Sequence, residues 1–311
     1  MSAPVDVDVV VVGGGPAGLS AALNLVRARQ RVLVLDGNRP RNAATLHSHG
    51  FLTRDGVSPL ELRQMGRDEV TAYDGAEVQF AVVDGVSAVD GGFRVTASGV
   101  RGAPDRDVTA TRVLVAAGLR ETLPSITNLR AYYGTALHSC YECDGYEKAG
   151  QPLAVIGETD DLVESALLVA VWSDDVIVFT NGSAIISEGE ERMLAGRGIP
   201  VERRQVAEIV GERGELTGLR LADGELIARS AGFVRPQWSP ALEYLDGLGA
   251  VTSDEGLLVV DAAGRTSVPG LYAAGDITPP GPEQLIVAAG EGAQVSATIL
   301  RDTVFAGARS I

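Results

Sequence analysis

Short apolar runs and helical apolar stripes alternate along the chain. Val7–Val12, VDVVVV, is a β-branched run suited to a strand buried in a parallel sheet. After it, Leu19, Ala22, Leu23 and Val26 fall at helical spacing, and RVLVLD returns as a second strand ending at Asp36. A second block near Gln151 repeats this order: PLAVIG predicts a strand, DDLVESALLVAVW a helix, and DDVIVFTNG a strand and turn. Between the blocks, VQFAVVDGVSAVDGGFRVTA and RDVTATRVLVAAG predict a meander. A similar one, VAEIVGERGELTGLRLADGELIA, follows the second block, with turns at Gly214 and Asp223-Gly224. Further on, a strand runs into Gly275-Asp276, a proline-rich turn follows, and a long helix of small residues comes next. The order of elements predicts an α/β protein built from βαβ units.

The first strand–helix junction carries candidate chemistry. Gly13, Gly15 and Gly18 form G-x-G-x-x-G, with Asp36 standing 18 residues past the last glycine. Alone the pattern is weak; between a strand and a helix it is a dinucleotide-binding signal. Gly13 permits the tight turn, Gly15 lets the backbone approach a pyrophosphate, and Gly18 allows close helix–strand packing. The phosphates meet the positive end of the helix, and Asp36 accepts from ribose hydroxyls.

Composition narrows the classes. Asp plus Glu number 41 against 26 Lys plus Arg, a net charge of −15, which argues against nucleic acid or an anionic membrane as partner. No apolar run reaches the ~18 residues that span a bilayer. The beginning, MSAPVDVDVVVVGGG, lacks the basic region and cleavage site of a signal peptide. These features predict a soluble cytoplasmic protein. Two cysteines among 311 residues make no disulfide framework.

Both cysteines lie in LHSCYECDGYE, as Cys140 and Cys143. The C-x-x-C spacing serves metal sites, structural staples and redox centres alike. Such a pair can close a small disulfide that is easily reduced, and the neighbouring Asp144 can move a proton as thiol and disulfide interconvert. His138, Cys140, Cys143 and Asp144 also offer ligands to zinc. Structural zinc, however, usually draws on two separated pairs, and the only other histidines are His47 and His49.

Taken together, GGGPAG, VLVAAG, CYECDG and GLYAAGD, in that order, resemble the low-molecular-weight thioredoxin reductases, a family of flavin disulfide oxidoreductases. The resemblance covers nearly the whole chain. It implies two Rossmann-like three-layer domains: a discontinuous FAD domain, residues 1–119 and 246–311, and an inserted pyridine-nucleotide-type domain, residues 120–245, carrying the dithiol. It implies FAD as cofactor, with Gly13, Gly15, Pro16, Ala17 and Gly18 at the pyrophosphate and Asp36 at the adenosine ribose. Gly275 and Asp276 belong at the ribityl or phosphate end, and Gln284, Leu285 and Ile286 beneath the isoalloxazine ring. Cys143 then faces the flavin, Cys140 exchanges with substrate, and no metal is needed. A homodimer is also implied.

Departures from the family pattern concentrate on one ligand. Where the family repeats G-x-G-x-x-A for NADPH, the chain has GETDDL, Gly157–Leu162. The His-Arg-Arg signature for the 2′-phosphate is replaced by TNG, Thr180–Gly182, and the later glycine turn by FVRPQWSP. The loop RPRNAATLHSHGFLTRDG resembles a branch that includes the dithiol oxidases of gliotoxin and holomycin pathways, and there Arg41 and Asn42 are expected at FAD. His47 and His49 are expected as loop residues or proton carriers. The expected activity is therefore FAD-dependent dithiol/disulfide exchange without NADPH. A ferredoxin- or flavodoxin-like protein is the donor and a thioredoxin-like protein the partner. Three alternatives stay open: an O2-using oxidase of a small or protein dithiol, an NADPH-dependent reductase with atypical docking, and a non-catalytic FAD-bound redox sensor.

Overall fold

The computed structural model describes residues 5–183 and 185–305. The chain divides into two compact units. One gathers the residues up to Arg41, Gly50–Arg120 and those from Ser239 onward; the other gathers Asn42–His49 and Glu121–Trp238.

In the first unit, β1 (Val7–Val12), α1 (Pro16–Arg27), β2 (Val32–Asp36), α2 (Pro59–Thr71), β3 (Ala76–Val89), β4 (Gly92–Gly99) and β5 (Arg106–Val115) follow in order. β1 pairs in parallel with β2 on one side and β5 on the other. The long strands β3 and β5 each serve two pairings. Ala76–Phe80 lies parallel to β2, whereas Ala81–Val89 turns antiparallel against β4. Likewise Arg106–Ala110 pairs with β4, and the rest of β5 with β1. The predicted meander is therefore an outgrowth of the parallel sheet.

In the second unit come β6 (Arg120–Thr122, which begins at the boundary), α3 (Leu129–Tyr132), β7 (Leu137–His138), α4 (Tyr141–Asp144), β8 (Leu153–Gly157), α5 (Leu162–Val169), β9 (Val176–Phe179), α6 (Glu188–Gly196) and β10 (Val201–Glu202). Then follow β11 (Val206–Glu212), β12 (Glu215–Leu221), β13 (Leu226–Ala228), β14 (Ala231–Arg235) and β15 (Gln237–Ser239). Five parallel strands run in the order β10-β9-β8-β14-β7, beside an antiparallel β11-β12-β13 sheet. Both units thus pair a parallel sheet with a meander, the repeat the sequence pattern predicts. Each parallel core is apolar on both faces: Val9–Val11 and Leu153–Ile156 are all fully buried.

The chain returns to the first unit with β16 (Leu271–Ala273), parallel to β5, and α7 (Leu285–Phe305). The small residues of α7 have a packing reason. Ala288, Val295 and Ile299 join the core that contains Ala17, Ala21 and Leu25 of α1; Gly292 is buried beside them, and a Cβ on it would sit 2.0 Å from the Ala17 carbonyl oxygen. Only glycine lets the two helices approach this closely. Among the described residues, no helix is long and apolar enough to cross a membrane.

Candidate functional site

The three glycines of the first turn are glycine for three different reasons. Gly13 has φ +110°, and its Cβ would lie 2.2 Å from the Ala116 carbonyl oxygen. A Cβ on Gly18 would lie 2.0 Å from the Gly13 carbonyl oxygen, so helix and strand meet there. Gly15 is different: its φ of −83° suits any residue, and a Cβ would meet nothing within 4 Å. No contact inside the protein demands glycine at that position. Gly15 caps α1 with no side-chain hydrogen bond, Pro16 occupies the first turn, and Ala17 is buried. The first-turn N–H groups of a helix have no partner within it, and at this twelve-residue helix the space at the Gly15 Cβ position is clear.

Asp36, at the end of β2, is 6% exposed. Its Oδ1 accepts from the Asn38 N–H at 2.7 Å, but its Oδ2 has no hydrogen-bond partner among the described residues. Arg63 and Arg67 of α2 stand 3.9 Å from that oxygen, and Arg63 Nε and Arg67 Nη1 are likewise buried and unsatisfied. Buried polar atoms rarely go unpaired, so such a cluster marks a place for polar ligand groups. The two arginines escaped the sequence reading because nothing in the polar stripe of α2 distinguishes them from surface residues.

At the other end of the unit, Gly275 has φ +77° and donates its N–H to Glu291 at 2.6 Å. Asp276 Oδ2 accepts from Arg41 Nε at 2.6 Å, and its Oδ1 from the Glu283 N–H at 3.1 Å. Arg41 also donates to the Glu283 carbonyl. Gln284 precedes α7, and its carbonyl accepts from Val287 and Ala288, so Leu285 and Ile286 form the first turn. Arg41, Asp276 and the start of α7 are thereby bound together within one unit. Asn42 follows in the short 3-10 turn Arg41–Ala44.

In the second unit, Cys140 and Cys143 form a disulfide. β7 delivers the chain to it, and α4 is a single turn whose cap is Cys140 itself, Sγ accepting from the Cys143 N–H at 3.2 Å. Asp144 closes that turn and stands 3.0 Å from His138 Nδ1. Tyr141 packs between Trp172 and Phe233, their ring centroids 6.2 and 6.4 Å away. His49 lies 3.6 Å from Glu147, and His47 is a ring neighbour of His49 at 6.4 Å. Among the described residues, no three His, Cys, Asp or Glu side chains converge as a metal site.

The second glycine turn is built differently from the first. α5 begins at Leu162, capped by Asp161, two residues later in the motif than α1 begins. Thr159 stands where the first turn has its open glycine, and its hydroxyl donates to Asp161 Oδ1 at 2.6 Å. Arg235 Nε donates to Asp161 Oδ2 at 3.0 Å, and Arg235 Nη1 to the Ser139 carbonyl. Burial pushes the Asp161 carboxyl up, but the hydrogen bonds from Arg235 and Thr159 more than offset it, leaving it below its usual value. Asn181, which is buried, donates to Glu158 Oε1 at 2.6 Å and accepts from the Val206 N–H at 2.9 Å. Just beyond β10, Arg203 pairs with Glu191, and Arg204 with Glu202, Asp223 and Glu225.

Residues 7–292 match the family described as pyridine nucleotide-disulphide oxidoreductase. The chain belongs to that family. It is 32% identical to thioredoxin reductase of Streptomyces coelicolor over 301 residues, 92% of this chain and 90% of that protein. Among solved structures it is similar to HlmI, at 39% identity and TM-score 0.89, covering 98% of this chain and 94% of the other. It is also similar to an oxidoreductase from Agrobacterium tumefaciens, at 32% identity and TM-score 0.85, covering 96% and 99%. Two other relatives are longer: the chain spans 49% of a probable thioredoxin reductase of Arthroderma benhamiae and 56% of an alkyl hydroperoxide reductase component of Pseudomonas putida. The chain is thus a thioredoxin reductase-like member of that family.

The first unit fits FAD. The clear space beside Gly15 would take the pyrophosphate, and the unsatisfied Asp36 Oδ2 a ribose hydroxyl. Gly15→Val tests this fit. The side chain meets no protein atom within 4 Å of its Cβ, so the fold should survive. The purified wild type should carry one FAD per chain and the variant almost none, with unchanged far-ultraviolet circular dichroism. A variant with full flavin content would place the cofactor elsewhere.

Proposed function

We propose that the protein is an FAD-dependent dithiol/disulfide oxidoreductase that does not use NADPH. Electrons pass between the flavin, the Cys140–Cys143 pair and an external dithiol or disulfide, with a thioredoxin-like protein as the partner. Cys143 serves the flavin side, Cys140 the substrate side, and Asp144 handles the proton. A ferredoxin- or flavodoxin-like protein is the electron donor. The observation that carries the NADPH exclusion is the self-filled second turn: Thr159 and Arg235 hold Asp161, and Asn181 holds Glu158. Carboxylates bonded to the chain's own residues stand where a phosphate needs free N–H groups and arginines.

A second reading has O2 reoxidising the flavin and a small or protein dithiol as substrate. The net charge of −15 favours it, because an acidic carrier is repelled by an acidic surface. One anaerobic stopped-flow series separates the readings: NADPH, a reduced ferredoxin and a dithiol are offered in turn, and flavin absorbance is followed. Bleaching by ferredoxin and by dithiol supports the first reading. Bleaching by dithiol alone, followed by rapid recovery on admitting O2, supports the second.

A further inference from the structure

His138 lies two residues before the disulfide and is only 6% exposed. Its Nδ1 stands 3.0 Å from Asp144 Oδ1, and its Nε2 stands 2.8 Å from the Thr135 carbonyl oxygen. Both ring nitrogens therefore face oxygens. A neutral imidazole has one N–H and one lone pair and satisfies only one such contact. A carbonyl oxygen can only accept, so Nε2 must donate to Thr135, alongside Lys148 Nζ, which donates to the same oxygen at 2.7 Å. The contact at Nδ1 then requires a second proton, on the ring or on the Asp144 carboxyl. Phe233 and Tyr141 flank this region with rings, and Arg235, paired with Asp161, donates to the Ser139 carbonyl. His138 thus contacts the carboxyl of the residue that directly follows Cys143.

We propose that His138 is a positioning residue for the dithiol chemistry, keeping Asp144 loaded with a proton and aimed by its Nδ1 contact. This rests on the dithiol reading above. When a substrate thiolate attacks Cys140 Sγ, a mixed disulfide forms and the Cys140–Cys143 bond breaks, its electron pair going to Cys143. The proton of the pair passes to the Cys143 sulfur, which becomes a thiol, and Asp144 is left as a carboxylate beside neutral His138. Closing the disulfide runs the same step backwards, and the pair takes its proton back from Cys143.

The test uses the FAD-loaded protein and dithiothreitol. Disulfide opening is timed by rapid alkylation of the freed thiols and mass spectrometry. Asp144→Asn should slow opening by about 10²–10⁴-fold, the usual contribution of a positioned acid. His138→Gln and His138→Asn should slow it by roughly 10- to 10²-fold, since the acid is then present but neither loaded nor aimed. The double variant His138→Gln/Asp144→Asn should be no slower than Asp144→Asn alone, because both changes remove one device. Protonated imidazole buffer should speed His138→Gln in proportion to its concentration and leave the wild type unaffected; a merely structural role would show no such rescue. Unchanged far-ultraviolet circular dichroism and an unchanged thermal unfolding transition serve as the check that the variants fold. His138 variants within twofold of wild type, slowing that buffer does not rescue, or losses that multiply in the double variant would each overturn the proposal. Failure of dithiothreitol to open the wild-type disulfide would overturn the dithiol reading as well.

Discussion

Anaerobic titration with NADPH should leave the flavin of this protein oxidised at micromolar nucleotide. The expectation follows from how the second βαβ unit is filled. A pyrophosphate needs backbone N–H groups that it can approach, and Thr159 brings a β-branched side chain to that position. The helix that should receive the phosphates starts late, and its cap, Asp161, is held by Arg235 and Thr159. The arginines that recognise a 2′-phosphate are missing from Thr180–Gly182. Asn181 is turned inward there onto Glu158, and Arg203 and Arg204 are committed to carboxylates. A charge-assisted hydrogen bond contributes about 1.5–3 kcal/mol. Losing two costs roughly 3–6 kcal/mol, or about 10²–10⁴ in affinity, which moves a micromolar site to about 0.1–10 mM. NADH, lacking the 2′-phosphate, should do no better, since the pyrophosphate is common to both. Rapid, complete bleaching at micromolar NADPH would mean that nucleotide docks in a way these contacts do not block.

Replacing either cysteine should reduce turnover to the uncatalysed background. Disulfide exchange needs an attacking sulfur and a leaving sulfur, and a serine hydroxyl serves as neither. The two positions are not equivalent in what they leave behind. Cys140→Ser removes the sulfur assigned to the substrate side, so mixed disulfides with substrate should no longer be trapped. Cys143→Ser leaves Cys140 free to form a mixed disulfide that the chain has no second thiol to resolve, so the covalent adduct should accumulate and be visible by mass spectrometry. Neither change touches the glycine turn of the other unit, so both variants should retain FAD. Full activity in both single variants would remove the pair from the reaction.

The parts legible in the sequence are those written in local spacing. The apolar run of β1, the three glycines and the stripe of α1 lie within one stretch, and the structure puts strand, turn and helix there. The repeat of that plan was legible too, because each unit carries its own buried strands. What the sequence hid are partnerships across distance. Arg235 and Asp161 are 74 residues apart, and only the parallel pairing of β14 with β8 brings their surroundings together. The stretch GETDDL therefore shows three carboxylates, Glu158, Asp160 and Asp161, without their partners, whereas Glu158 and Asp161 are bonded within the chain. Arg63 and Arg67 were hidden for the same reason: α2 looks polar throughout, and their burial against Asp36 depends on where the helix lands. His138 and Asp144 are close in sequence, but nothing in their spacing indicates that both ring nitrogens face acceptors.

The most direct test of electron transfer through the Cys140–Cys143 pair is an anaerobic dithiothreitol titration of the FAD-loaded wild type, Cys140→Ser and Cys143→Ser, followed by flavin absorbance. Rapid, stoichiometric bleaching of the wild type, with both variants oxidised over the same interval, is the expected result. Equal bleaching in all three proteins, or none in the wild type, would contradict it.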